Sequence, residues 1–174
     1  MRRRLKARSA GAAPAVDAGG ARPAAVALLA RRDFAAGELA GRLQADGYPA
    51  EAVAAVIADL TAERLLDDAR FAGHYVAYHA QRGHGPRRIA QDLSSRGVAQ
   101  THIDAALAQG PDWGARAREV RIRRFGLTPP ESWAEKAKQG RFLQYRGFSS
   151  DHIRLALGAD LDRKSTRLNS SHSS

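Results

Sequence analysis

The chain of 174 residues contains no cysteine. That absence excludes disulfide frameworks, zinc knuckles, iron–sulfur ligation and cysteine nucleophiles, and it fits a reducing compartment. No run approaches the roughly 18 apolar residues of a membrane span, so a soluble, cytoplasmic protein is expected. Lysine is scarce, with 4 Lys against 24 Arg and 36 Ala. GC-rich coding produces such a skew by itself, so the number of arginines is not evidence of function. Their placement is what carries information.

Catalytic signatures are missing too. The six histidines include no His-Glu-x-x-His, and His74, His79 and His84 are five apart, poor spacing for one helix face. His102 and His152 fall at equivalent places in a repeat described below and read as exposed first-turn residues rather than ligands. No Gly-x4-Gly-Lys-Ser/Thr phosphate loop occurs. Gly83-His84-Gly85 is followed by Pro86 and reads as a helix-to-helix turn with Pro at the first helical position. The adjacent carboxylates Asp67 and Asp68 read as helix-capping oxygens rather than an acid–base pair. No catalytic, cofactor or metal residue is assigned, and the protein is read as a non-enzyme.

What is present is helical almost throughout. Val53, Val56, Ile57 and Leu60 are spaced as one amphipathic stripe, and Phe71, Tyr75 and Tyr78 repeat it. Aligning the chain with itself at an offset of 50 brings Leu43, Leu93 and Leu143 into register, then Gly47, Gly97 and Gly147. Tyr48, Val98 and Phe148 follow, then Val53, Ile103 and Ile153, then Ile57, Leu107 and Leu157. Leu39 and Ile89 also agree, whereas the third copy has Gln139. The apolar pair marks a helix face, the glycine stops that helix, and the next pair faces the core from the following helix. With a preceding helix in each copy, at about 24–32, 69–81 and 113–125, the pattern predicts three tandem three-helix repeats. The expected fold is all-α: an elongated, curved array of repeats at 24–67, 68–110 and 111–160, the third with a longer link from Gly126 to Pro130. Chance agreement in an alanine-rich helical chain is the bland alternative, and three coincident glycines with apolar flanks weigh against it.

The two ends differ from the array. Residues 1–23 mix Arg with Ala, Gly and Pro and are expected to form a disordered basic arm. Residues 161–174 carry five Ser among the last ten positions and no Ala, resemble translated adaptor sequence, and are expected to be a disordered, non-native tail.

The formal net charge is +10, but it is unevenly spread. Residues 25–68 carry four bases and eight acids, whereas 69–110 carry five bases and two acids and 111–160 ten and six. The basic candidates are Arg70, then Arg82, Arg87 and Arg88 around the Gly-Pro turn. Arg116, Arg118, Arg121, Arg123 and Arg124 follow in the first helix of the third unit, with Trp113 and Phe125 alongside, then Lys136, Lys138, Arg141 and Arg146. Any one of these alone reads as part of a solvated face. As a set with aromatics they read as a surface for phosphates or for an acidic protein groove. A helix-turn-helix reading, and with it a general DNA-binding protein, is one alternative, and a purely structural helical adaptor is another. The candidate recognition helices run Pro49-Ala50-Glu51-Ala52, Ala99-Gln100-Thr101-His102 and Ser149-Ser150-Asp151-His152, without Arg or Lys to read guanine.

The run Leu66-Asp67-Asp68-Ala69-Arg70-Phe71-Ala72, followed by Arg82-Gly83-His84-Gly85-Pro86-Arg87-Arg88-Ile89, resembles the central signature of the RecX regulatory proteins. Phe142-Leu143-Gln144-Tyr145-Arg146-Gly147-Phe148-Ser149 is similar to that family's C-terminal motif, and the likeness covers about 24–158. The resemblance implies a small all-α, monomeric regulator that binds the RecA recombinase filament, beside or within its single-stranded DNA. It further implies inhibition of ATP hydrolysis, strand exchange and co-protease activity. Leu66, Asp67, Asp68, Phe71, Gly83, Gly85, Pro86, Ile89, Gly97, Gly147 and Phe148 then stand as signature or structural positions, and the basic residues as contacts with RecA or DNA.

Overall fold

The computed structural model describes residues 17–158, and the expectations for 1–16 and 159–174 lie outside them. Nine α-helices follow one another with no strand among the described residues. They are α1 (Ala21–Leu29), α2 (Ala36–Ala45), α3 (Ala50–Ala62), α4 (Asp68–Gln81), α5 (Pro86–Ser95), α6 (Gln100–Ala108), α7 (Trp113–Phe125), α8 (Trp133–Tyr145) and α9 (Ser150–Ala156). Taken in threes they form the repeats, and in each the first helix packs on the third. The chain divides into two compact units, one ending at Leu66 and the other beginning at Asp67 and holding the second and third repeats.

The repeat is visible in its backbone. Gly47, Gly97 and Gly147 have φ of 99°, 79° and 95°, a left-handed conformation that costs glycine little. In each copy the glycine N–H bonds to the carbonyl three residues back, and the next N–H reaches the buried leucine: Tyr48 to Leu43, Val98 to Leu93, Phe148 to Leu143. Gly83 ends α4 the same way, its N–H on Ala80 and that of His84 on His79. These paired bonds satisfy carbonyls that a helix end leaves orphaned. Leu43, Leu93 and Leu143 are fully buried beneath them.

In the first unit, Leu39, Leu43, Val53, Leu60 and Leu66 form the core with Ala25 and Phe34. The basic arm was expected to run to residue 23, but a 3₁₀ turn occupies Ala18–Gly20 and α1 begins at Ala21. Asp17 accepts from the Gly19 N–H, and Ala21 and Ala25 are fully buried. Alanine packs that face by close approach, so the large-apolar periodicity that marks other helices is missing there. Arg22, counted with the arm, donates to both oxygens of Glu63 at 3.0 and 2.8 Å.

The second unit starts on a cap. Asp67 accepts from the Arg70 N–H at 2.9 Å, and that bond holds its carboxyl below the ordinary range. Asp112 caps α7 through the Ala115 N–H, and Ser132 and Ser149 open α8 and α9 with capping boxes.

Where the third copy departs from the apolar pattern, the core carries a polar couple. Positions 21, 71 and 121, again 50 apart, hold Ala, Phe and Arg, all buried. Arg121 is 2% exposed and Gln139 7%, so both are interior. The Arg121 guanidinium donates to the carbonyls of Thr128 at 3.1 Å and Leu127 at 3.3 Å, and reaches Gln139 Oε1 at 3.5 Å. Burial lowers its pKa, with Arg118 adding to the effect. It holds the link between α7 and α8 from beneath.

Candidate functional site

The second and third repeats meet at a backbone-to-backbone joint. The Gly85 N–H donates to the Arg146 carbonyl at 2.8 Å, and the Arg87 N–H to the Gly147 carbonyl at 3.0 Å. A Cβ on Gly85 would stand 2.3 Å from the carbonyl carbon of Gly147. Two signature turns far apart in sequence thus interlock because neither carries a side chain at the crossing. Pro86 then starts α5 at its first position.

Two shallow cavities are built on this joint. The first, of about 240 Å³, is lined by Arg82, Gly83, Val120, Arg123, Arg124, Phe142 and Arg146. It gathers four arginines from three places in the chain and has no carboxylate among its lining residues. Arg82, just past α4, donates to the Tyr78 hydroxyl at 2.9 Å, and its guanidinium lies over that ring. Arg146 lies over the Phe142 ring at 5.4 Å. Arg123 and Arg124 are exposed in the last turn of α7, where a cation also offsets the negative helix end. The second cavity, of about 520 Å³, is lined by Arg87, Arg88 and Asp92 of α5 and by Gln144 and Tyr145 of α8, among others.

The predicted basic residues therefore separate. Arg82, Arg123 and Arg124 come together with Arg146, and Arg87 and Arg88 form a second pair. Arg116 is tied to Glu119 at 2.7 Å. Arg70, Lys136, Lys138 and Arg141 are exposed and line neither cavity. Arg121, read from the sequence as a contact residue, is corrected to a core position by its burial and its three acceptors. The accompanying aromatics are corrected likewise. Trp113 is half-buried and donates to the Leu107 carbonyl at 3.2 Å, and Phe125 packs edge-on against Phe142. Tyr78, read as the end of an apolar stripe, is instead exposed beneath Arg82. The exposed aromatic beside Arg87 and Arg88 is Tyr145, 82% accessible, which no periodicity singles out.

The histidines also differ from their linear spacing. His79 on α4 and His84, past the Gly83 reversal, bring their Nδ1 atoms to 3.1 Å and stack, with Tyr75 on the other side of His79. One Nδ1 must donate and the other accept. His152 is half-buried in the Ser149 capping box rather than exposed. Among the described residues no cluster of three potential metal ligands exists. Burial is the largest cause lowering the pKa of all three histidines. Arg82, Arg96 and Arg88 add to it at His79, and Arg88, His79 and Arg146 at His84, both opposed by Asp92. At His152, Asp151 and Asp112 oppose it, while Arg87 adds. Each ring thus binds its proton less readily folded than unfolded. Stability is complete above the pH near 6.5 where a free imidazole titrates, and is lost as pH falls below it. The urea midpoint should drop between about pH 7.5 and about pH 5.5, and by less in His84→Asn. Equal drops in the two proteins would refute this role for the pair.

Comparison with known proteins gives one consistent answer. Family models described as the first, second and third three-helix domains of RecX match residues 21–60, 67–107 and 114–157. A protein named Regulatory protein RecX from Pseudomonas fluorescens is 43% identical over 143 residues, 81% of this chain and 92% of its own length. Its namesake from Halorhodospira halophila is 46% identical over 139 residues, 79% and 86% of the two chains. The solved structure of RecX from Lactobacillus salivarius shares the fold with a TM-score of 0.71 at 21% identity, over 83% of this chain and 96% of that one. A crystal structure of regulatory protein RecX gives 0.69 at 24%, over 80% and 70%.

Proposed function

This chain belongs to the RecX family, and from that premise we propose that it regulates DNA recombination and repair by binding the RecA filament on DNA. It acts there as a monomer, in the cytoplasm, and inhibits ATP hydrolysis, strand exchange and co-protease activity. The observation that carries this reading is the cavity where Arg82, Arg123, Arg124 and Arg146 converge without an acid among its lining residues. Guanidinium groups so grouped suit phosphate oxygens of filament DNA or carboxylates on RecA, since both accept bidentate hydrogen bonds. Base-specific operator binding is less well supported. The first turns of α3, α6 and α9 offer Glu51, His102 and Asp151 but no arginine or lysine.

The test is an ATPase titration on preformed RecA–single-strand filaments. Substoichiometric inhibition is expected from the native chain. Arg123→Glu with Arg124→Glu should raise the concentration for half-inhibition about tenfold or more, because both exposed cations are reversed. Unchanged inhibition would remove the cavity from the interface. Binding to bare single strands as strong as to RecA-coated ones would favour a general DNA-binding protein.

A further inference from the structure

The second cavity has a different chemistry from the first. Its walls are α5, bearing Arg87, Arg88 and Gln91, and the end of α8, bearing Gln144 and Tyr145. The two walls are fixed to each other, because the Arg87 N–H is bonded to Gly147, two residues past Tyr145. The Tyr145 ring is 82% exposed. An aromatic left in water beside two guanidinium groups and two amides is poorly accounted for by folding. Asp92, the acid in the lining, receives the Tyr75 hydroxyl at 3.4 Å, and the two arginines outnumber it. The equally exposed indole of Trp133 stands instead among Glu131, Ser132 and Glu135 at the start of α8, where a polyanion would be repelled, and the exposed Tyr78 ring is already covered by Arg82.

We infer that this cavity is a nucleotide subsite for single-stranded DNA, with Tyr145 stacking a base and Arg87 and Arg88 holding the adjoining phosphates. Every base offers a π-face, so stacking tolerates any sequence, and only an unpaired strand leaves that face free. Amide groups of Gln91 and Gln144 can donate to or accept from any base edge. A volume of about 520 Å³ is within the range of small-ligand clefts. The inference rests on the reading of this protein as a regulator of a DNA-bound filament, and it names the part of the DNA that the regulator touches.

The measurement is anisotropy of the full chain on a short oligothymidylate and on an abasic strand of the same length, at one low ionic strength. Tyr145→Ala should weaken binding to the thymidylate about tenfold and leave binding to the abasic strand unchanged, whereas Tyr145→Phe should keep both. Arg87→Glu should weaken both strands. Equal affinity of native chain and Tyr145→Ala for the thymidylate, including binding by neither, overturns the subsite. So does an equal loss on the abasic strand. Circular dichroism keeps the comparison to folded protein. The RecA ATPase titration is run alongside: failure of the native chain to inhibit overturns the regulatory reading, whatever the oligonucleotides report.

Discussion

Gly85→Ala should destabilise the unit formed by the second and third repeats by about 3 kcal/mol or more, one of the largest effects of any single methyl in this protein. The added Cβ would meet the carbonyl carbon of Gly147 at 2.3 Å, its oxygen at 2.5 Å and the Phe148 nitrogen at 2.5 Å. All three atoms are backbone, so no rotamer change relieves the overlap. The repeats must separate, and the bonds from Gly85 to Arg146 and from Arg87 to Gly147 lengthen, at about 1 kcal/mol each. Gly147→Ala should behave alike, with the Cβ 2.5 Å from that of Arg88 and a φ of +95° that strains alanine. Gly73→Ala is the control. It lies within α4 with nothing within 4 Å of the added atom, and should stabilise by about 0.5–1 kcal/mol. Urea midpoints of the three variants decide the matter. A Gly85→Ala midpoint matching that of Gly73→Ala would show that the joint is not closed in solution.

Arg121→Ala should cost about 3 kcal/mol, although it removes a positive charge from a strongly basic chain. Truncation empties the space beneath the link and frees the carbonyls of Leu127 and Thr128. Arg121→Met separates the two contributions. It keeps most of the volume and removes a buried charge that has no carboxylate among its acceptors, so its cost should be smaller, about 1 kcal/mol. Thermal unfolding of both variants checks this, and an Arg121→Ala protein as stable as native would place the side chain back in solvent. Charge reversal at Arg121 is also excluded from any interface test, since a glutamate there would unfold the region rather than report on binding. Arg123 and Arg124, exposed on the same helix, carry that test instead.

Much of the architecture was legible along the chain. The 50-residue offset located the buried leucines and the left-handed glycines, because a helix end needs both at fixed spacing. Asp67 as a cap and Pro86 as a first helical residue followed from the same local logic. The polar core was half legible. Gln139 breaks the Leu39–Ile89 pattern, and Arg121 breaks the apolar series begun by Ala21 and Phe71. Two polar residues at core positions of the same copy are the signal that they face one another. Without the second alignment, Arg121 reads as one more surface base in an arginine-rich helix.

The sequence by itself determined the threefold repetition and every helix end but the start of α1, since glycine stops, caps and stripes act within a few residues. The helix α1 begins where alanine packing in the first unit places it. Only the tertiary structure decided which arginines lie together. Arg82, Arg123 and Arg146 belong to three different helix ends and meet because Gly85 and Gly147 let two turns touch. It also decided that His79 and His84 pair, and that Tyr145, rather than Trp113 or Phe125, is the exposed aromatic beside Arg87 and Arg88. Convergence of this kind leaves no period in the chain, because it is set by the crossing of backbones rather than by the spacing of side chains.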